Sequence, residues 1–169
     1  TASGGNSGSA VTFSTSGSCT ISAGEVTFMA SGTCSVKADQ AGSSNYNAAP
    51  QATQTFTVGK GTQEVTFTSS APNNAVVAGL TYTPTTSGGA SGNAVVVTVD
   101  STSSAICSIS AYVVHFNAVG DCQLNLNQAG NSNWNAAAEV TQTITVGKGS
   151  QTLQFTSAAP NNAIVAGAT

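Results

Sequence analysis

The sequence predicts an all-β fold built from tandem sandwich repeats. Three observations carry this: apolar residues alternate with period two, the chain matches itself at an offset of 88 positions, and each copy holds two cysteines fifteen positions apart. The 88-residue offset superimposes Gly59 on Gly147, Cys19 on Cys107, Cys34 on Cys122, and QAGSSNYNAAP (40–50) on QAGNSNWNAAA (128–138). Upstream of the first cysteine the offset falls to 84, with SGGNSGSAV (3–11) matching SGGASGNAV (87–95). The first copy thus lacks four residues there, which reads as a shortened loop or strand end.

Residues 59–146 form one complete repeat, and residues 1–58 a repeat lacking its first strands. Residues 147–169 are the first strands of a following repeat, or a donor segment that completes a neighbouring subunit. The stretch GKGTQEVTFTSSAPNNAVVAGLT (59–81) returns at the end of the chain as GKGSQTLQFTSAAPNNAIVAGAT (147–169). Together the two partial pieces lack only YTP (82–84) and the four-residue deletion.

Within the complete repeat, QEVTFTS places Val65 and Phe67 on one face, and AVVVTVD does the same for Val95, Val97 and Val99. DCQLNLN aligns Cys122, Leu124 and Leu126, and EVTQTITVG carries Val140, Ile144 and Val146. Such alternation marks half-buried strands. VAGLTYTP, AICSIS and VVHF supply the rest, giving roughly seven strands in a unit of about 88 residues, the count and spacing of an immunoglobulin-like sandwich. No stretch has the apolar stripe of a long helix. The linkers VGKGTQ (58–63) and VGKGSQ (146–151) are short, so neighbouring repeats are expected end to end with limited freedom.

Composition narrows the function. Apolar residues make up 40% of the 169, enough for a folded core, whereas charged residues make up 5%. The three lysines (Lys37, Lys60 and Lys148) are dispersed and arginine is absent, which argues against nucleic acid as a partner. No run of about 18 apolar residues offers a membrane span, and TASGGNSGSA lacks the regions of a signal peptide. The expectation is a removed signal or an internal segment.

Each cysteine pair, Cys19 with Cys34 and Cys107 with Cys122, encloses a strand, turn, strand and loop, so the two thiols can meet across neighbouring strands. Zinc would want closer spacing or added histidines, and His115 is the one histidine. Disulfides are therefore expected, and with them an extracellular or cell-surface location. The succession CSIS, VVHF, DCQLNLNQAGNSNWNAAA and TQTITVGKGSQ resembles bacterial immunoglobulin-like tandem repeats of large secreted or cell-surface, adhesin-type proteins, and the resemblance covers the whole chain. It implies a spacer or surface module and carries over no catalytic residue.

No other residues assemble a recognisable chemistry. His115 stands opposite the face of Val114 and Phe116, and its counterpart is Thr27, so it reads as an exposed strand residue rather than part of a triad. The carboxylates Glu25, Asp39, Glu64, Asp100, Asp121 and Glu139 are scattered. The chain is accordingly read as non-enzymatic, with no cofactor and no metal. Tyr46 and Trp134 hold the same place in two loops, where an aromatic ring either stacks on a sugar or plugs the end of a sandwich. Rows of threonine in TQTFTV (53–58) and TQTITV (141–146) suit a solvated strand face.

The terminal segment is the assembly candidate. Leu153, Phe155, Ile164 and Val165 would be exposed alone, while a sandwich begun at Thr1 leaves a groove in its core. Strand addition from a neighbouring copy cures both defects. The expected role is a structural repeat of a filament, stalk or adhesin, joined head to tail by chain continuity or strand exchange. The alternative is a module that binds surface glycans or a receptor.

Overall fold

The computed structural model describes residues 1–159 and 161. The first piece contains β1 (Val11–Gly17), β2 (Cys19–Ser22), β3 (Glu25–Phe28), β4 (Gly32–Gln40) and β5 (Ala52–Val58). The complete copy contains β6 (Thr66–Phe67), β7 (Thr86–Ser87), β8 (Val95–Val99), β9 (Cys107–Ser110), β10 (Val113–Phe116), β11 (Gly120–Gln128) and β12 (Val140–Val146). Among the described residues the only helical element is a 3-10 turn at Ser101–Ser103. The protein is all-β, and its strands pair antiparallel in several small sheets.

The two copies share one plan. A three-stranded sheet β1-β4-β5 recurs as β8-β11-β12, and the hairpin β2-β3 recurs as β9-β10. The central strand is the longest because it is paired on both sides: Leu124 lies opposite Val99 on one neighbour and Gln142 on the other. Its alternation is strict, with Cys122, Leu124, Leu126 and Gln128 buried and the residues between them only partly so. Val97, Val114, Phe116, Ile144 and Val146 close around it.

Both disulfides are formed, with Cα atoms 5.5 Å apart for Cys19–Cys34 and 5.7 Å for Cys107–Cys122. The bridged strands are not neighbours in one sheet, as the spacing suggested. Cys107 belongs to the β9-β10 hairpin and Cys122 to the central strand of the other sheet, so the bond pins one sheet to another.

Two stretches depart from the expected strands. QEVTFTS is a ladder only at Thr66–Phe67, because residues before it are held by isolated contacts and by the Gln63 side chain. VAGLTYTP is not a strand: Ala78 has φ of 52°, and the chain meets the sheets at separate points, where Val76 bridges Gly147, Ala78 N donates to the Phe116 carbonyl at 3.1 Å and Tyr82 bridges Val114. Tyr82 also donates its hydroxyl to Gln142 Oε1 at 2.9 Å, anchoring the wrap. Residues 61–82 thus cross the front of the complete copy as a cover fixed at intervals.

The four-residue deletion has a local structural meaning. In the complete copy Asp100 caps the 3-10 turn, accepting from Thr102 N at 2.9 Å, before β9 begins. In the first piece Gly17 and Ser18 make the crossing directly. Gly17 has φ of 89°, and a Cβ there would collide with the Thr33 carbonyl, so only glycine serves.

Two predictions follow from this framework. Replacing Cys107 and Cys122 with alanine should lower stability by about 3 kcal/mol, the entropy of a loop of about 15 residues, read as an earlier denaturant midpoint. The β9-β10 turn places Ala111 at φ of 48° and Tyr112 at 64°, where the counterpart of Tyr112 is Gly24. Tyr112→Gly should therefore raise stability by about 0.5–1 kcal/mol in the same titration.

Candidate assembly surface and inter-repeat joint

The joint between the two copies begins where β5 ends at Val58. Gly61 N donates to the Asn133 carbonyl at 2.9 Å, and Asn135 N donates to the Gly61 carbonyl at 2.9 Å, so Gly61 runs parallel beside Trp134. A Cβ on Gly61 would sit 2.5 Å from the Trp134 ring, which is why the linker is glycine there. Lys60 Nζ donates to the Asn131 carbonyl at 2.8 Å. From the first piece, Ser31 N donates to Asn133 Oδ1 at 3.0 Å and Ser31 Oγ to the Ser132 carbonyl at 2.5 Å. The two copies are thus held by the covalent linker, which is bonded to the Asn131–Asn135 loop, and by the Ser31 bonds to the same loop.

The Trp134 loop is preformed. Asn131 Oδ1 accepts from Asn133 N at 2.8 Å and from Trp134 N at 3.0 Å, while Gly130 leaves room for the Trp134 carbonyl. Trp134 is half-buried, and with Phe28, Met29 and Val58 it borders a cleft of about 330 Å3 at the joint. The Trp134 ring lies against the linker at Gly61. Tyr46 sits in an equivalent loop, with Ser43 N donating to its carbonyl at 2.8 Å, but no described residue plays the part of Gly61 and the ring is 50% exposed.

The second feature is an uncovered face. Phe28 is 57% exposed, Phe13 37% and Phe56 36%, whereas their counterparts Phe116, Val97 and Ile144 are 5%, 7% and 1% exposed. Phe28 and Phe56 meet edge to face at 5.8 Å, which shelters them only in part. In the complete copy the cover is residues 61–82; no described residues cover the first piece in that way. The segment that repeats the cover sequence has Leu153 and Phe155 99% and 98% exposed. Ile164 and Val165 lie outside the described residues.

The sequence reading missed the buried glutamines. Gln128 accepts from Gly89 N at 2.7 Å and donates to the Asn93 carbonyl at 2.7 Å, tying the glycine-rich stretch to the end of β11. Gln40 makes the matching bonds to Gly5 N at 2.7 Å and the Ser9 carbonyl at 2.8 Å. Gln63 donates to the Ala129 carbonyl at 3.1 Å and accepts from Ser91 N at 2.8 Å, fastening the cover segment to the same corner. Period two held the signal: Gln128 and Gln40 fall in phase with the buried cysteines and aliphatic residues of β11 and β4.

Several of the charged groups are engaged in structure. Asp39 accepts from Gln51 Nε2 at 2.9 Å, and one period later Asn127 Nδ2 donates to Glu139 Oε2 at 2.7 Å, so acid and amide have exchanged places. Hydrogen bonds from the Thr102 hydroxyl and N–H, then from Asn125, hold the Asp100 carboxyl below its ordinary range. His115 is exposed on β10. Among the described residues no three His, Cys, Asp or Glu side chains cluster to hold a metal, and no cysteine is free. No helix among them is long and apolar enough to cross a membrane. No protein-family model matches the chain, and no curated protein matches it.

Trp134 is the single tryptophan and reports on the joint directly. Gly61→Ala should push the ring off the linker at a cost of about 1–3 kcal/mol, shifting its fluorescence to the red. Unchanged emission would show that the ring does not rest on Gly61.

Proposed function

We propose that this chain is a stretch of a non-enzymatic, extracellular structural protein whose immunoglobulin-like repeats join head to tail into a stalk or filament. The observation that carries the reading is the joint, where Gly61 lies against Trp134 and Ser31 bonds to Asn133. A short linker bonded along the Asn131–Asn135 loop, with Ser31 of the first piece bonded to the same loop, resists bending and keeps successive repeats in a fixed relation. The two disulfides are compatible with an oxidising location, and the resemblance to bacterial adhesin-type repeats points to the cell surface.

The glycan-binding alternative rests on Tyr46, whose ring is half exposed. It loses support at the equivalent Trp134, which is engaged by the linker.

The reading is tested by electron microscopy of native material beside the recombinant 169-residue chain. Thin, unbranched rods with a regular axial repeat are expected in the native material. With few charges to screen, the rods should persist from low salt to about 1 M NaCl, where the Debye length is about 3 Å. Compact particles, or rods that fall apart in moderate salt, would refute it.

A further inference from the structure

Each three-stranded sheet has an edge strand on the side away from its disulfide-bearing central strand, β1 in one copy and β8 in the other, and the two copies treat that edge differently. Ser18 N donates to the Thr33 carbonyl at 2.9 Å, in step with the β1-β4 register. The main-chain groups of Thr12, Ser14 and Ser16 therefore face β4, and those of Val11, Phe13 and Thr15 point away from it. By the same rule the bond from Asp100 N to the Gln123 carbonyl, 2.9 Å, turns the main-chain groups of Val95, Val97 and Val99 outward from β8. On β8 this edge is guarded, because the Tyr112 hydroxyl donates to the Val95 carbonyl at 3.5 Å. The guard is held at φ of 64°, a conformation that disfavours tyrosine. In the other copy the counterpart of Tyr112 is Gly24, which has no side chain to reach Val11.

The open edge is a property of the sandwich and not of its cover. In the complete copy residues 61–82 lie across the front, and none of their hydrogen bonds reaches Val95–Val99. A cover on the front thus leaves this side of the sheet accessible.

We propose that β1 pairs antiparallel with β1 of a second copy of this chain, joining two three-stranded sheets into one of six. The outward row of Thr12, Ser14 and Ser16 is almost palindromic, so a two-fold pairing centred on Ser14 sets hydroxyl against hydroxyl along its length. Phe13 then lies opposite the partner's Thr15, and each such pair exchanges both N–H···O bonds. β1 carries no charged residue or proline, and its ladder with β4 runs without a bulge, so the usual obstacles to edge pairing are missing. Lys37 is opposite Ser14 on β4. In the pair the two Lys37 side chains lie three strand spacings apart, about 14 Å, beyond the screening length of about 8 Å at physiological salt. β8 is excluded as a partner because Tyr112 occupies the place where an incoming N–H would meet the Val95 carbonyl. Two short strands bury little surface, so a single pair exchanges readily and is best trapped covalently.

The test uses the full chain. Ser14→Cys under mild oxidation should give a disulfide-linked dimer on non-reducing gels, since the Cα atoms of a closely spaced antiparallel pair lie about 4.5 Å apart, within disulfide reach. Thr12→Cys mixed with Ser16→Cys should link to each other about tenfold faster than either links to itself, which reads the register. Gly24→Tyr added to Ser14→Cys supplies the missing guard and should lower the dimer yield by about tenfold. Thr12→Lys with Ser16→Lys should do the same without touching the Gly24 turn, because it sets lysine against lysine on exposed positions. Thr98→Cys, the counterpart of Ser14 on β8, should stay monomeric and gain a dimer when Tyr112→Gly is added. The proposal is overturned by a Ser14→Cys chain that dimerises no more than Thr143→Cys, an exposed control on β12, or by a yield indifferent to the two lysines. A Thr98→Cys chain that dimerises with Tyr112 in place would overturn it as well.

Discussion

Everything in the complete copy depends on covering β11. The strand is paired along both edges, so its backbone is satisfied, and the unresolved demand is its inward row of Cys122, Leu124 and Leu126. Burying such side chains stabilises by about 1.5–3 kcal/mol each, and only if water is excluded from the face. The Cys107–Cys122 bond brings the β9-β10 hairpin over one part of that row. Residues 61–82 close the remainder, tacked down at Trp134, at Gly147 and at Val114. The first piece has the same central strand and the same disulfide but not the tacked cover, and its phenylalanines are exposed accordingly.

That dependence explains why polar side chains are buried at the corners. A cover that does not ladder with the sheet contributes few backbone hydrogen bonds, so its position needs other anchors. Gln63 and Gln128 supply them by bonding to main-chain groups of different segments, satisfying amides that would otherwise be costly to bury. Tyr82 does the same at the opposite side through Ser69 and Gln142. The residues YTP, absent from the sum of the two partial pieces, therefore include one anchor of the cover.

Strands carrying their own alternation were legible in the sequence: Val95–Val99, Gly120–Gln128 and Val140–Val146 each show period two because one face is wet and the other buried. The cover was only half legible. Val65 and Phe67 alternate like a strand, yet the segment meets its neighbours at isolated points, a tertiary outcome that local pattern cannot distinguish from a ladder. The disulfide pairing followed from spacing, but its joining of two sheets did not, since hairpin and central strand are separated by a turn whose direction is set by packing. The contact between Trp134 and Gly61 was not legible because the two lie far apart in the chain.

The exchange of acid and amide between Asp39–Gln51 and Asn127–Glu139 bears on what kind of protein this is. Both versions place one donor amide against one carboxylate across the sheet, so what is retained is a hydrogen-bonded pair and not a charge at a given atom. A carboxylate used in catalysis or metal binding has to stay where the reacting atom is. Here its location shifts by a strand from one copy to the next, while the glycine turns, the glutamine corners and the aromatic beside them stay in place. The features that repeat are those that shape a copy and fix its segments to one another.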